Sequence, residues 1–198
     1  DAGQINWCAD GSMLGFELAP NLLRMIPADA GFASMDVPLL DLNIFTSYPA
    51  WFQQGQRLLY VQKIPSEKEG IYLTNAGTAN EGIRIASFQE IASTSDYPIW
   101  LPDGSGFLVV GRRSKSGIIG GDIYHYDLNS NQVNPLTDFW NESAGYLSLS
   151  PDGEYIVFER QTQEGQSRDI WIMKRTDPTV MWQLTYDGQS GNPSWGSK

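Results

Sequence analysis

One short phrase recurs along this chain of 198 residues, and its spacing constrains the fold more than any other feature. Trp7 to Gly11 reads Trp-Cys-Ala-Asp-Gly, and Trp51 to Gly55 reads Trp-Phe-Gln-Gln-Gly. Trp100 to Gly104 reads Trp-Leu-Pro-Asp-Gly, and Leu149 to Gly153 reads Leu-Ser-Pro-Asp-Gly. Trp195-Gly196 begins the phrase again. The anchors stand at 7, 51, 100, 149 and 195, at intervals of 44, 49, 49 and 46 residues. Self-similarity at such a period marks stacked supersecondary units, none of which buries its faces alone.

The phrase has a mechanical meaning. Pro presets φ and Gly supplies φ > 0, so Pro-Asp-Gly predicts a tight turn between antiparallel strands. The third and fifth residues after each Gly are apolar: Leu14 and Phe16, Leu58 and Tyr60, Phe107 and Val109, Ile156 and Phe158. That period of two predicts a strand. A third strand follows at Gly70-Ile71-Tyr72, Asp122-Ile123-Tyr124 and Asp169-Ile170-Trp171. A fourth ends at Leu136-Thr137 and Leu184-Thr185, with Ile91-Ala92 in that place in the second unit. The expected fold class is all-β, a β-propeller of four-stranded blades with about four blade units, as a partial or small propeller. One propeller part spans 1–198. Its units run approximately 5–47 (degenerate), 48–96, 97–144 and 145–190, and 191–198 starts a further strand.

Composition agrees. The chain holds 20 Gly, 11 Pro, 7 Trp, 9 Tyr and 8 Phe. Gly and Pro punctuate turns, and aromatics suit pleated surfaces. Hydrophobic residues at 41% against 18% charged exclude disorder for the bulk of the chain. No apolar run reaches the length of a spanning helix, so membrane insertion is not expected. A net charge of −10 argues against a nucleic-acid partner and an anionic membrane surface. One cysteine, Cys8, allows no internal disulfide. The chain opens at Asp1 without a cationic-then-apolar leader, as after signal-peptide removal or trimming.

The run Pro98-Ile99-Trp100-Leu101-Pro102-Asp103-Gly104, Asp122-Ile123-Tyr124, Leu136-Thr137 resembles the TolB-type propeller repeat. So does Ser150-Pro151-Asp152-Gly153, Asp169-Ile170-Trp171, Leu184-Thr185, Asn192-Pro193-Ser194-Trp195. The resemblance covers 48–198 and fades over 17–47. It implies a periplasmic or extracellular scaffold that binds another protein without catalysis. It implies two alternatives as well. One is a detached or partial substrate-gating propeller of a prolyl-oligopeptidase-like peptidase, and the other is a carbohydrate-binding propeller. The six blades and α/β domain of TolB exceed 198 residues. The expectation is therefore a fragment that self-associates through open blade edges, or a ring closed by its own ends. Fold alone does not choose among these functions.

Motifs with catalytic or metal chemistry read as structure. Gly188-Gln189-Ser190-Gly191-Asn192 lacks the last Gly of a nucleophile elbow. His125 is the one histidine and lies in an alternating strand. Asp127 to Asn131, with Asp138 in the twelfth place, starts like a calcium loop but has Gln132 where Gly is required. Asp122 and Asp169 recur by unit, which predicts hydrogen bonding to backbone rather than to a metal. No enzyme activity, no cofactor and no metal are expected. Asn141-Glu142-Ser143 fits a glycosylation acceptor in a eukaryotic secreted protein. Recurring Trp7, Trp51, Trp100 and Trp195 predict packing between blades, and Trp182 predicts core. Candidate partner contacts are Trp140, an aromatic in an inter-blade loop, and the basic cluster Arg112, Arg113 and Lys115, expected in a long loop.

Overall fold

The computed structural model describes residues 5–7, 13–19, 22–29, 38–41, 45–52, 57–63, 70–75, 82–87, 98–115, 118–162 and 167–196. Among them there are four antiparallel sheets of four strands and no helix. The chain divides into two compact units, Asp1–Glu90 and Ile91–Lys198, with two sheets in each.

In the first unit, β1 (Ile5–Trp7), β2 (Met13–Ala19), β3 (Leu22–Pro27) and β4 (Pro38–Asp41) pair in chain order. The unit that lacks the Asp-Ile-Tyr phrase thus still makes its four strands. The next meander is β5 (Phe45–Phe52), β6 (Arg57–Lys63), β7 (Gly70–Asn75) and β8 (Ile83–Ser87). Its fourth strand is Ile83–Ser87, and Ile91-Ala92 lies outside the described residues. Trp51 is buried against Gly15 of β2, where a Cβ would collide with the indole. Trp51 therefore packs between neighbouring sheets, as its recurrence predicts. Trp7 does not. It is 56% exposed.

The second unit holds β9 (Ile99–Trp100), β10 (Gly106–Lys115), β11 (Ile118–Asp127) and β12 (Gln132–Pro135). Its other sheet is β13 (Glu142–Leu149), β14 (Tyr155–Thr162), β15 (Arg168–Lys174) and β16 (Asp177–Gln183), again in chain order. β13 starts at Glu142, so residues 142–144 belong to the later sheet. Phe107 to Val110 are all buried, and so are Ile156 to Glu159. The middle strands are covered on both faces, which favours continuous apolar runs over alternation. Leu108, Val110, Ile123, Ala144, Ile156 and Phe158 share one core between the two sheets. Gly121 packs closely there: a Cβ would meet the Ala144 carbonyl at 3.0 Å and Val110 at 3.2 Å.

The Pro-Asp-Gly turns form as their residues predict. Gly104 N–H donates to the Leu101 carbonyl at 2.9 Å, and Gly153 N–H to the Ser150 carbonyl at 2.8 Å. Both glycines are left-handed, at φ 70° and 72°. Asp103 Oδ1 accepts from Ser105 N–H at 3.0 Å, and Asp152 Oδ1 from Glu154 N–H at 2.9 Å. Gly11 and Gly55 lie outside the described residues, as does Cys8.

Three further expectations change. Arg112, Arg113 and Lys115 are not in a loop. They extend β10, in register with Gly121, Gly120 and Ile118 of β11. A ladder needs backbone groups only, so a polar run can continue a hairpin beyond the buried core. Trp182 is not core. β16 is the outermost strand of its sheet, and Trp182 is 42% exposed there. Residues 191–196 form no strand. Trp195 instead donates from its backbone N–H to Ser148 Oγ and from its indole N–H to the Ser148 carbonyl, both at 3.1 Å. These bonds dock the segment on β13 without a ladder.

Candidate binding site at Trp140

The connection from β12 to β13 carries Trp140, and its position follows from the repeat. Asp122 is 1% exposed at the centre of β11. Its Oδ1 accepts from the Thr137 hydroxyl at 3.0 Å and from Phe139 N–H at 2.8 Å. Thr137 Oγ1 accepts from Ile123 N–H at 2.9 Å. The last sheet repeats this network. Asp169 Oδ1 accepts from the Thr185 hydroxyl and from Gly188 N–H, both at 3.1 Å, and Thr185 Oγ1 accepts from Ile170 N–H at 2.9 Å. The Asp-Ile and Leu-Thr phrases are thus the two halves of one clasp, which ties the outgoing loop to the third strand. Backbone binding by these aspartates was legible from their recurrence. Thr137 and Thr185 as their partners were not singled out, although Leu-Thr recurs at the matching spacing.

Phe139, held by Asp122, stacks on Phe158 with ring centroids 6.2 Å apart. The Arg160 guanidinium lies 4.4 Å from the Phe139 ring and 4.4 Å from the Trp171 ring. Arg160 Nε donates to Glu142 Oε2 at 2.9 Å, and a second nitrogen of the same group reaches that oxygen. Such a partly buried cation between two rings is held by cation–π attraction as well as by its carboxylate. Trp140 therefore sits between two anchored positions, Phe139 and Glu142, one residue and two residues away. Its own side chain is 65% exposed. An exposed side chain on a backbone anchored at both sides loses little conformational entropy when it is covered.

Backbone pairing brings the basic cluster to the same corner of the unit. Arg112 pairs with Gly121, whose N–H donates to Ser143 Oγ at 3.1 Å, three residues beyond Trp140. Asn141 is exposed, but Glu142 of the same sequon is engaged with Arg160.

The candidate catalytic groups are placed otherwise. Ser190 Oγ donates to Asp187 Oδ2 at 2.8 Å, inside a turn where Asp187 Oδ1 accepts from Gln189 and Ser190 N–H. These bonds hold the Asp187 carboxyl below the usual carboxylate range. Asp127 makes the same kind of turn, accepting from Asn129 N–H at 2.8 Å and Ser130 N–H at 3.3 Å, with Asn131 at φ 54°. The segment with calcium-loop character is a hairpin turn. Among the described residues no three His, Cys, Asp or Glu side chains converge as metal ligands.

His125 lies on β11 between Leu108 and Asn134, and its Nε2 is buried without a hydrogen-bond partner. Burial, then Arg175, push its pKa down, and Asp127 and Asp103 oppose them. The folded chain therefore binds fewer protons here than the unfolded chain. This contribution is complete above the ordinary histidine value of about 6.5 and is lost as pH falls from there through the lowered folded value. The urea midpoint should thus decline between about pH 7 and pH 5, and His125→Phe should flatten that part of the profile. An equal decline in both proteins would assign it elsewhere. The aspartates with lowered values act only below about pH 4 and do not overlap.

No protein-family model matches this chain, and no curated protein matches it by sequence. Solved structures do. A TolB protein of Agrobacterium tumefaciens superposes with a TM-score of 0.73 at 22% identity, over 94% of this chain and 62% of that one. The fold is that of a TolB-type β-propeller. TolB of Acinetobacter baumannii gives a TM-score of 0.69 at 19% identity, over 93% of this chain and 43% of its own. A prolyl endopeptidase gives 0.65 at 14% identity, over 94% and 30%. This chain thus spans less than two thirds of the length of each. In the TolB-type frame Trp140 stands on a connection between consecutive blade-like sheets.

Proposed function

We propose that this chain is a non-catalytic binding module that holds another protein in the cell envelope or outside the cell. The observation that carries the reading is Trp140, exposed on a loop that Asp122 and the Arg160 sandwich hold rigid. The likeness to TolB proteins supports it. So does the engagement of Ser190 in a turn with Asp187. The gating reading draws on the likeness to a prolyl endopeptidase, and the carbohydrate reading on the flat indole face.

Immobilised chain should retain a discrete protein from an envelope fraction. Trp140→Ala should lose that retention by about tenfold or more, as truncation of a hot spot does, with its stability within about 0.5 kcal/mol of the parent. Retention of polysaccharide alone would favour the carbohydrate reading. Turnover of a peptide or ester that survives purification and is lost in His125→Ala or Ser190→Ala would contradict the proposal.

A further inference from the structure

The outermost strand of the last sheet, with the three residues after it, presents a row that the Trp140 site does not use. Val180 is 42% exposed, Trp182 42%, Leu184 48% and Tyr186 78%. The alternate residues Met181, Gln183 and Thr185 are half-buried. Sheet order ends at β16, so its far side has no strand partner among the described residues. Leu184 N–H donates to the Ile170 carbonyl at 2.8 Å and sets the phase of the ladder. By antiparallel alternation, the N–H and C=O groups of Met181 and Gln183 turn away from β15. Tyr186 Oη covers the Gln183 carbonyl at 3.2 Å, and Tyr155 braces Trp182 edge-on at 6.2 Å. Asp177 and Pro178 blunt the start of this edge, as charge and Pro commonly do, and the apolar row follows them.

The charges decide the occupant. From Asp177 to Asp187 the only charged residues are those two aspartates, one at each end of the apolar row, and both are exposed. Arg175 donates to the Gly153 carbonyl at 2.7 Å, and Lys174 lies on the inner strand opposite Asp177. A second copy pairing in parallel register would set Asp177 of β16 beside itself. Like charges opposed across a ladder are destabilising, and each chain carries a net charge of −10. We infer that the β16 edge receives an extended segment of another protein, with apolar residues at alternate positions and basic residues at its ends, as an added strand. Main-chain bonds would supply affinity and the row would supply side-chain specificity. This inference deepens the protein-binding reading and rests on it.

The probe is a short synthetic peptide of alternating valine and threonine with lysine at each end, titrated by fluorescence anisotropy into the whole chain. It should bind about tenfold or more tightly than its counterpart with glutamate ends. Trp182→Ser should weaken it by about tenfold, as should N-methylation of alternate peptide residues. Asp177→Lys should narrow the preference for lysine ends, and Trp140→Ala should leave binding unchanged. Equal binding of both peptides, indifference to Trp182→Ser, or absence of binding would overturn the inference. So would a dimer in sedimentation that Trp182→Ser abolishes. Loss of protein retention in Trp140→Ala, with none of these β16 effects, would leave the binding function standing and remove only this edge.

Discussion

Asp122→Ala is expected to lower the unfolding free energy by about 2–5 kcal/mol, because it strands a buried and a part-buried donor at once. The Thr137 hydroxyl and Phe139 N–H both give their hydrogen to Asp122 Oδ1, and the carboxylate is 1% exposed. Each unsatisfied group carries a desolvation cost of about 1–3 kcal/mol. Asp122→Asn keeps an acceptor of the same shape and gives up only charge assistance, so its loss should be about half as large or less. Asp169→Ala is an internal comparison, with the same bonds at 3.1 Å on a less buried carboxylate. Its loss should be smaller. Denaturant midpoints of the three variants check the ranking. The effect should reach function too, since Phe139 seats Arg160 and fixes the start of the Trp140 segment. Equal and small losses at both aspartates would mean that the clasp contributes little.

Gly153→Val should cost about 2–4 kcal/mol, from two separate causes. At φ 72° a β-branched residue is a poor fit, and left-handed backbone alone costs an L-residue about 1–2 kcal/mol. The new Cβ would also stand 3.0 Å from Pro102 Cδ and 3.1 Å from Cγ, in the equivalent turn of the preceding sheet. Gly153→Ala keeps the first cause and part of the second, so it should fall between the parent and valine. The Gly153 carbonyl accepts from Arg175 Nε at 2.7 Å, and a shift of the turn would strain that bond as well. An unchanged midpoint in both variants would contradict the turn.

Much of the fold was legible because its signals are local. Pro-Asp-Gly sets a turn by its own φ preferences, and the run from Phe107 to Val110 reads as a buried strand without knowledge of its neighbours. The positions of those strands within a sheet were not legible. Alternation around Trp182 shows which side chains share a face, but only the pairing of β16 with β15 alone reveals that the strand is an edge. Arg112 to Lys115 read as a loop because polar residues carry no burial signal, whereas their pairing with β11 depends on backbone alone. Trp195 repeats the anchor, yet its hydrogen bonds to Ser148 come from a segment that forms no ladder. At the candidate site, Trp140 stood out as an aromatic without a packing role. Its supports, Arg160, Glu142 and Trp171, come from three strands of the next sheet, and such long-range convergence leaves no pattern in one sequence.

Photo-cross-linking tests whether the chain holds another protein at Trp140. The most direct measurement replaces Trp140 with a photo-cross-linking amino acid and irradiates the folded chain in an envelope fraction. A second protein carries the same group at Asn134, an exposed position on β12. The account predicts one discrete cross-linked protein from position 140 and none from position 134. The same adduct from both positions, or none from either, would contradict it.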